Sequence, residues 1–206
     1  MNAKRDALEQ LLRREPSIWR GWGAEHRSRP ALPTGFPELD AALPEGGWPF
    51  GALLEIGVRC VGLGEMRLLL PAMAALSQVG RWIVWVAPPY RPYGPALAQA
   101  GVELGQVWVV EPRQAGDIPW SLEKLLRSGC CGMALAWPRR LADHQVRRLQ
   151  LAAEAGGGLG VLIGQSAAGA GYAALRIEAN PAPQGLAVDI LKARGSLRRA
   201  SVIVTP

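Results

Sequence analysis

The residues best placed to do chemistry lie in a glycine-containing loop over residues 57–66, GVRCVGLGEM. Apolar residues predict a strand over Ala52–Ile56 before this loop and a helix over Glu65–Leu76 after it. A strand-loop-helix unit is where α/β proteins usually bind phosphate, with the pattern G-x-x-x-x-G-K-[ST]. Five residues of the loop make it a degenerate version of this pattern, with no cofactor-binding residues predicted: Arg59, Gly62, Gly64, Glu65 and Met66.

These residues oppose nucleotide binding. Glu65 stands at the lysine position, and at about 4 Å with an effective dielectric near 20 a glutamate repels one phosphate charge by about 4 kcal/mol. Met66 stands at the hydroxyl position, and Mg²⁺ prefers oxygen ligands to a thioether. Taken alone, the loop is an ordinary strand-to-helix turn, and we expect no bound cofactor.

The cysteines and histidines do not have the spacing of a metal site. Cys130 and Cys131 are adjacent and cannot form the usual structural disulfide, so together with Cys60 they favour a reducing compartment. His26 and His144 lie far from any cysteine in sequence, so we expect no zinc site.

Composition predicts a protein of the cytoplasm with one core. The chain has 206 residues, of which 49% are hydrophobic, and no apolar run approaches the roughly 18 residues that cross a bilayer. The first 15 residues are charged throughout and do not resemble a signal peptide. The net charge of +6 comes from the two ends, since residues 1–30 hold seven Lys/Arg against four Asp/Glu and residues 186–206 hold four against one.

The N-terminal segment is predicted to be a helical arm, over residues 1–31, attached to a core over residues 32–206. A narrow apolar stripe and a Trp-Arg-Gly-Trp segment make the arm a candidate partner interface. Its interface residues are Leu8, Leu11, Leu12, Trp19, Arg20 and Trp22. The sequence leaves open whether the arm packs on its own core or on a partner.

Strands alternate with helices from Arg81 to Ile163, which predicts an α/β fold with a mostly parallel sheet flanked by helices. Helical patterns are absent after Gly164. Predicted strands over Tyr172–Ala179, Leu186–Ala193 and Ser201–Val204 therefore indicate an antiparallel C-terminal extension.

The order of several short motifs resembles the RecA-like ATPase core. The segments TGFPELD, GGWP and GALLEI, which occupy residues 34–40, 46–49 and 51–56, are similar to the run that precedes the RecA phosphate loop. The resemblance covers about residues 32–204. It implies a core whose nucleotide site is lost, because Ala87 and Trp137 stand where the family carries its two carboxylates.

Length, the Trp-Arg-Gly segment and the Pro88-Pro89-Tyr90 turn further resemble the ImuA family. That resemblance implies a non-enzymatic adaptor in SOS-induced mutagenic translesion DNA synthesis. The expected partner is an ImuB-like protein, and RecA and a DnaE-type polymerase are possible further partners. The alternative is a cell-division inhibitor like SulA, which would act on FtsZ. A residual ATPase with an unorthodox site is the third alternative.

The C-terminal basic residues complete the candidate sites. Lys192 and Arg194 stand where the resembling RecA strand carries intersubunit lysines, so they are partner-interface candidates and a homo-oligomer is possible. DNA binding is expected to be weak or indirect, with Arg198 and Arg199 as its candidate contacts.

Overall fold

The computed structural model describes residues 31–164, 171–196 and 199–205. The predicted arm and its six interface candidates therefore lie outside the described residues, as does Arg198. Two short strands open the described chain, pairing Ala31 with Pro49 and Leu32 with Trp48. Within the described ranges, no helix is long and apolar enough to cross a membrane.

One eight-stranded sheet organises the rest of the described chain, with strand order β10-β9-β8-β3-β7-β6-β4-β5. The strands are β1 Ala31–Leu32, β2 Trp48–Pro49, β3 Ala52–Val58, β4 Trp82–Val86, β5 Val107–Val110, β6 Cys131–Ala136, β7 Leu159–Gly164, β8 Leu175–Ala182, β9 Gly185–Ala193 and β10 Ala200–Val204. The α-helices are α1 Pro37–Ala42, α2 Leu70–Gln78, α3 Gly94–Gln99, α4 Ile118–Arg127 and α5 Asp143–Gly156. Short 3₁₀ helices occupy Glu65–Leu68, Leu104–Gln106 and Ala115–Asp117.

The parallel strands β3, β4, β6 and β7 form the centre of the fold. They are almost entirely buried, because α1, α2 and α3 lie over one face and α4 and α5 over the other. Such strands are apolar on both sides, as sheets covered on both faces require. Glycine lets the layers approach closely: a Cβ on Gly160 would lie 2.8 Å from Leu53 Cδ1.

The antiparallel strands β8, β9 and β10 differ, because helices cover only one of their faces. Buried and half-exposed residues alternate along β8 and β9. The buried side includes Ile177, Val188 and Ile190 and joins the core under α1 and α2. Polar residues such as Glu178 and Asp189 occupy the other side, which keeps contact with water.

The predicted fold class, a RecA-like core with a mostly parallel sheet flanked by helices, is wrong. The sheet is mixed, and five α-helices occur among the described residues. Helices cover both faces only at its parallel centre. The physical reason is that the chain after β7 has no segment with a helical apolar stripe, so a second helical layer cannot form over β8 to β10.

Candidate functional surfaces

The glycine loop after β3 is closed by its own glutamate. The Gly62 N–H donates to Glu65 Oε1 at 2.8 Å, and Glu65 is only 1% exposed. Its second oxygen, Oε2, is buried without a hydrogen-bond partner. The carboxylate thus accepts a hydrogen bond from the Gly62 amide. In a phosphate loop, a backbone amide of this kind would point towards the bound phosphate. Arg59, by contrast, points to solvent from an exposed position.

The helix that follows this loop starts later than predicted. Residues 65–68 form a 3₁₀ turn that begins at Gly64, whose φ is 108°, and α2 begins at Leu70. Pro71 lies in the first turn of α2, where a missing N–H costs nothing, whereas it would break a helix that began at Glu65. Met66 packs against the core instead of facing a ligand.

Lys192 and Arg194, two of the predicted interface residues, make contacts within their own chain. The Lys192 ammonium donates to the carbonyl oxygens of Gly171 and Ala173, the latter at 2.7 Å. Burial, followed by the nearby charges of Arg194 and Arg176, lowers the Lys192 pKa. Arg194 forms an ion pair with Glu154 on α5 at 2.7 Å. An intersubunit role for either residue stays a prediction.

A buried ion pair lies beside these cations. Arg176 Nε donates to Glu55 Oε2 at 2.9 Å, and the Glu55 side chain is 6% exposed. Glu55 belongs to β3 and Arg176 to β8, so the pair joins the parallel centre to the first strand of the antiparallel part.

Gln150 is a buried polar residue that the sequence reasoning missed. Its Oε1 accepts the Leu53 and Ala174 backbone N–H groups, both at 3.1 Å, and its Nε2 donates to Glu154 at 2.9 Å. A glutamine within the apolar stripe of α5 was the available signal, because a buried amide needs partners. Gln150 ties α5 to the beginnings of β3 and β8.

Exposed apolar side chains occur on β5 and on the segments that come before and after it in the chain. We call this set the aromatic edge, and it consists of Tyr90, Tyr93, Leu104, Trp108, Val109 and Trp120, each at least 43% exposed. Trp108 packs on Trp82 with ring centroids 4.5 Å apart. Lys124 lies 5.8 Å from the centroid of the Trp120 ring.

The backbone of β5 is also available at this edge. Val110 accepts a hydrogen bond from the Ala87 N–H on the β4 side. Backbone groups alternate along a strand, so the N–H and C=O groups of Val107 and Val109 point away from β4. Among the described residues, no strand pairs with that outer side. The arrangement can bind an extended segment and aromatic or apolar side chains of another protein.

The turn after β4 carries backbone strain. Ala87 has a φ of 48°, the only positive value among the described residues other than glycine. Its N–H bonds to β5, and the chain then turns through two prolines towards Tyr90. Strained positions of this kind persist where the surrounding structure holds them, often at functional surfaces.

The titratable residues of the described chain do not form a metal site. No group of three or more His, Cys, Asp or Glu side chains there is placed to hold an ion. Arg199, the DNA-contact candidate within the described ranges, is exposed just before β10. Its role in DNA binding stays a prediction.

Comparison with known proteins points to one family. The model of the family described as "Cell division inhibitor SulA" matches residues 61–160, from the glycine loop to the start of β7. The chain is 32% identical over 96 residues to the cell division inhibitor SulA of Edwardsiella piscicida, a match that covers 47% of this chain and 57% of that protein. It is 31% identical over 99 residues to SulA of Yersinia pestis (strain Pestoides F), covering 47% and 58%. The chain thus spans less than two thirds of the length of these relatives.

One solved structure was also compared with the chain. The chain is similar to the crystal structure of SulA from Pseudomonas aeruginosa, with 22% identity and a TM-score of 0.45, over 53% of this chain and 95% of that one.

These findings correct the resemblance to the ImuA family. The matched family and both curated relatives are SulA, so ImuA membership, a role in mutagenic translesion synthesis and an ImuB partner are wrong, as is a RecA-like pseudo-ATPase. The prediction that the chain is not an enzyme is confirmed by the relatives, which are named as inhibitors. The argument on which that prediction was based, the loss of a RecA-like ATP site, is not supported.

Proposed function

We propose that this protein is a SulA-like inhibitor of cell division that acts in the cytoplasm by binding FtsZ. The observation that carries the proposal is the family match over residues 61–160. That segment holds residues 61–66 of the glycine loop, α2 to α5, and strands β4, β5 and β6. It is the part of the chain in which a shared function should reside.

The aromatic edge supports inhibition by protein contact. All six of its residues lie in the matched segment, and Trp108 and Val109 belong to β5, whose outer side is unpaired among the described residues. Aromatic side chains dominate the affinity of many protein interfaces, because a large rigid surface is buried at little entropic cost. We therefore assign FtsZ binding to this end of the sheet. The alternative surfaces are the N-terminal arm and the Lys192 and Arg194 cluster, which stay predictions.

Sedimentation of FtsZ polymers tests the proposal. FtsZ is assembled with GTP in the presence of increasing amounts of the purified full chain, and the pelleted fraction is measured. We expect the pelleted FtsZ to decrease as the chain approaches a stoichiometric amount. Bovine serum albumin at the same concentration serves as the control. An unchanged pellet, together with no binding of the chain to GDP-bound FtsZ in calorimetry, would contradict the proposal.

Expression in cells provides a second readout. A division inhibitor should produce elongated cells in which DNA replication and segregation continue. Normal cell length at a protein level that exceeds that of FtsZ would count against the proposed function.

A further inference from the structure

The turns that follow the parallel strands carry a set of exposed arginines. Strands β3, β7, β6, β4 and β5 run in one direction and lie side by side in that order, so their carboxyl ends share one edge of the sheet. The arginines lie in the turns that leave β3, β4, β5 and β6. We call this set the basic edge, and it consists of Arg59, Arg91, Arg113, Arg139 and Arg140.

Positive charge is in excess at this edge and not at the opposite one. Between each strand end and the next helix, the same four turns hold a single carboxylate, that of Glu111. The turns that enter β4, β5 and β6 at the opposite edge hold Arg81 and Glu103, whose charges balance. No arginine of the basic edge forms an ion pair with any described residue. These charges are therefore available to a partner.

The basic edge is long enough to act on a partner before contact. Neighbouring strands lie about 4.8 Å apart, so the edge from β3 to β5 spans about 19 Å. A row of guanidinium groups produces a positive potential that extends about one Debye length into the solvent, roughly 10 Å at 0.1 M salt. Such a potential raises the association rate of a partner with the opposite charge.

The basic edge meets the aromatic edge at two turns. Tyr90 and Tyr93 flank Arg91 in the turn after β4, and Arg113 follows closely after the end of β5. The two arginines after β6 lie further along the sheet, because β4 separates β6 from β5. They therefore lie beside the aromatic edge and outside it.

The arrangement favours an acidic protein surface over a nucleic acid. Binding of a single strand requires aromatic side chains on which successive bases stack. In the four turns, the exposed aromatic side chains are Tyr90 and Tyr93, which share one turn. Trp137, close to Arg139, is half-buried and stacks on Trp85 with ring centroids 5.4 Å apart. The basic edge thus offers charge along its length but stacking surface at one point.

We propose that the basic edge attracts an acidic surface of the partner protein and thereby sets the rate at which that partner reaches the aromatic edge. The inference rests on the proposed function, because the partner is FtsZ. Charges at the rim of an interface change the association rate and its salt dependence, whereas buried contacts change the dissociation rate. The basic edge should therefore act on association alone.

Stopped-flow kinetics with fluorescently labelled, GDP-bound FtsZ tests the inference. The full chain is compared with its Arg139→Glu, Arg140→Glu double variant at 0.1 M and 1 M KCl. The variant should associate about tenfold more slowly at 0.1 M KCl, with a dissociation rate that changes less than about twofold. At 1 M KCl, where the Debye length is about 3 Å, the two association rates should be equal.

The unchanged chain provides a second measurement that needs no substitution. Its association rate with FtsZ should fall about tenfold or more between 0.1 M and 1 M KCl, because salt screens the basic edge. An association rate that does not depend on salt would refute the inference.

The matched control reverses two arginines at the opposite edge, Arg127→Glu with Arg199→Glu, and changes the net charge equally. Arg127 ends α4 and Arg199 precedes β10, and both are exposed. Glu123, which pairs with Arg127 at 3.4 Å, keeps its ion pair with Arg148 at 2.7 Å. The six residues of β6 separate the two edges by about 20 Å, or two Debye lengths at 0.1 M salt. The control should associate within about twofold of the unchanged chain, and circular dichroism checks that both variants are folded.

The outcomes separate the inference from the proposed function. If the unchanged chain does not bind FtsZ at either salt concentration, both are refuted. If it binds, but the Arg139 and Arg140 variant associates as fast as the unchanged chain or no more slowly than the control, only the inference is refuted. Micromolar binding of an oligonucleotide of about 20 deoxythymidines that is lost in this variant also refutes the inference, because the edge would then bind nucleic acid.

Discussion

The parallel centre of the sheet and its antiparallel third are stabilised by different means. Strands β3, β4, β6 and β7 lie between two helical layers and hold apolar residues on both faces. Strands β8 and β9 bury one face and carry ionic contacts on the other, among them Glu55 with Arg176. The segment that matches SulA includes β4, β5 and β6 and excludes β8 to β10. The segment similar to SulA and the Glu55–Arg176 ion pair therefore lie in separate parts of one sheet.

The largest effect is expected from a core residue of the parallel centre. Leu126 on α4 is fully buried and lies against Gly160 of β7. Leu126→Ala should lower the free energy of unfolding by about 2–5 kcal/mol, because it removes apolar contacts and leaves a cavity. Urea denaturation followed by circular dichroism measures the change. Leu151→Ala is the control, since Leu151 is 49% exposed on α5 and should change stability by less than about 0.5 kcal/mol.

The next effect concerns the aromatic edge. Trp108→Ala with Trp120→Ala should weaken FtsZ binding by about 2 kcal/mol or more, which is roughly 30-fold, because both indoles are more than half exposed and available to a partner. Calorimetry with purified FtsZ measures the affinity. The matched control is Leu151→Ala with Ile203→Ala, which removes two exposed apolar side chains elsewhere. Equal losses in both double variants would show that the aromatic edge is not the binding surface.

A smaller effect is expected from the polar connection between the two regions. Gln150→Met keeps the length of the side chain but leaves the buried Leu53 and Ala174 N–H groups without their acceptor. We expect a loss of about 1–3 kcal/mol in unfolding free energy. Urea denaturation provides the value, and Gln99→Met at the exposed end of α3 serves as the control. A neutral result for Gln150→Met would mean that the two regions do not depend on this contact.

The smallest expected effect on stability at neutral pH comes from changing Cys131, which lies at the start of β6. Burial, and next the neighbouring Cys130, raise its pKa from 9.0 to about 11. Between these values the native protein binds more protons than the unfolded chain, so the Cys131 contribution to stability falls as the pH rises from 9 to 11. Cys131→Ala should remove that part of the pH dependence, measured by urea denaturation at pH 8 and pH 10.5.

Thiol reactivity checks the same residue independently. At pH 8 a disulfide reagent should modify exposed Cys60 and Cys130 rapidly, whereas Cys131 should react only when the protein unfolds. Rapid modification of all three thiols in the native protein would contradict this burial.

The sequence predicted the positions of helices and strands better than it predicted the contacts between distant side chains. The predicted strand Val107–Val110 has the bounds of β5, and α4 begins only two residues before its predicted start at Trp120. The predicted strand over Tyr172–Ala179 begins instead at Leu175, because Lys192 and Gln150 hold the carbonyl and amide groups of the preceding residues. These side chains come from distant positions, so no local pattern reveals them.

The functional interpretation failed where motif order was used in place of overall similarity. Short segments around Thr34 and Gly51 suggested a RecA-like core, yet the family match begins at residue 61, beyond both of them. The aromatic edge was also missed. Its members are scattered from Tyr90 to Trp120 in the sequence, and the exposure of Trp108 and Val109 follows from the position of β5 at the end of the sheet.

The sequence by itself determined which segments are helices and strands and that the glycine loop lacks the residues of a nucleotide site. Apolar periodicity, proline and glycine positions carry that information locally. Tertiary structure alone decided that Glu65 is buried against Gly62, that Lys192 and Arg194 bind within their own chain, and which strand forms the open edge. These outcomes depend on strand order, because it brings together residues that are distant in the sequence.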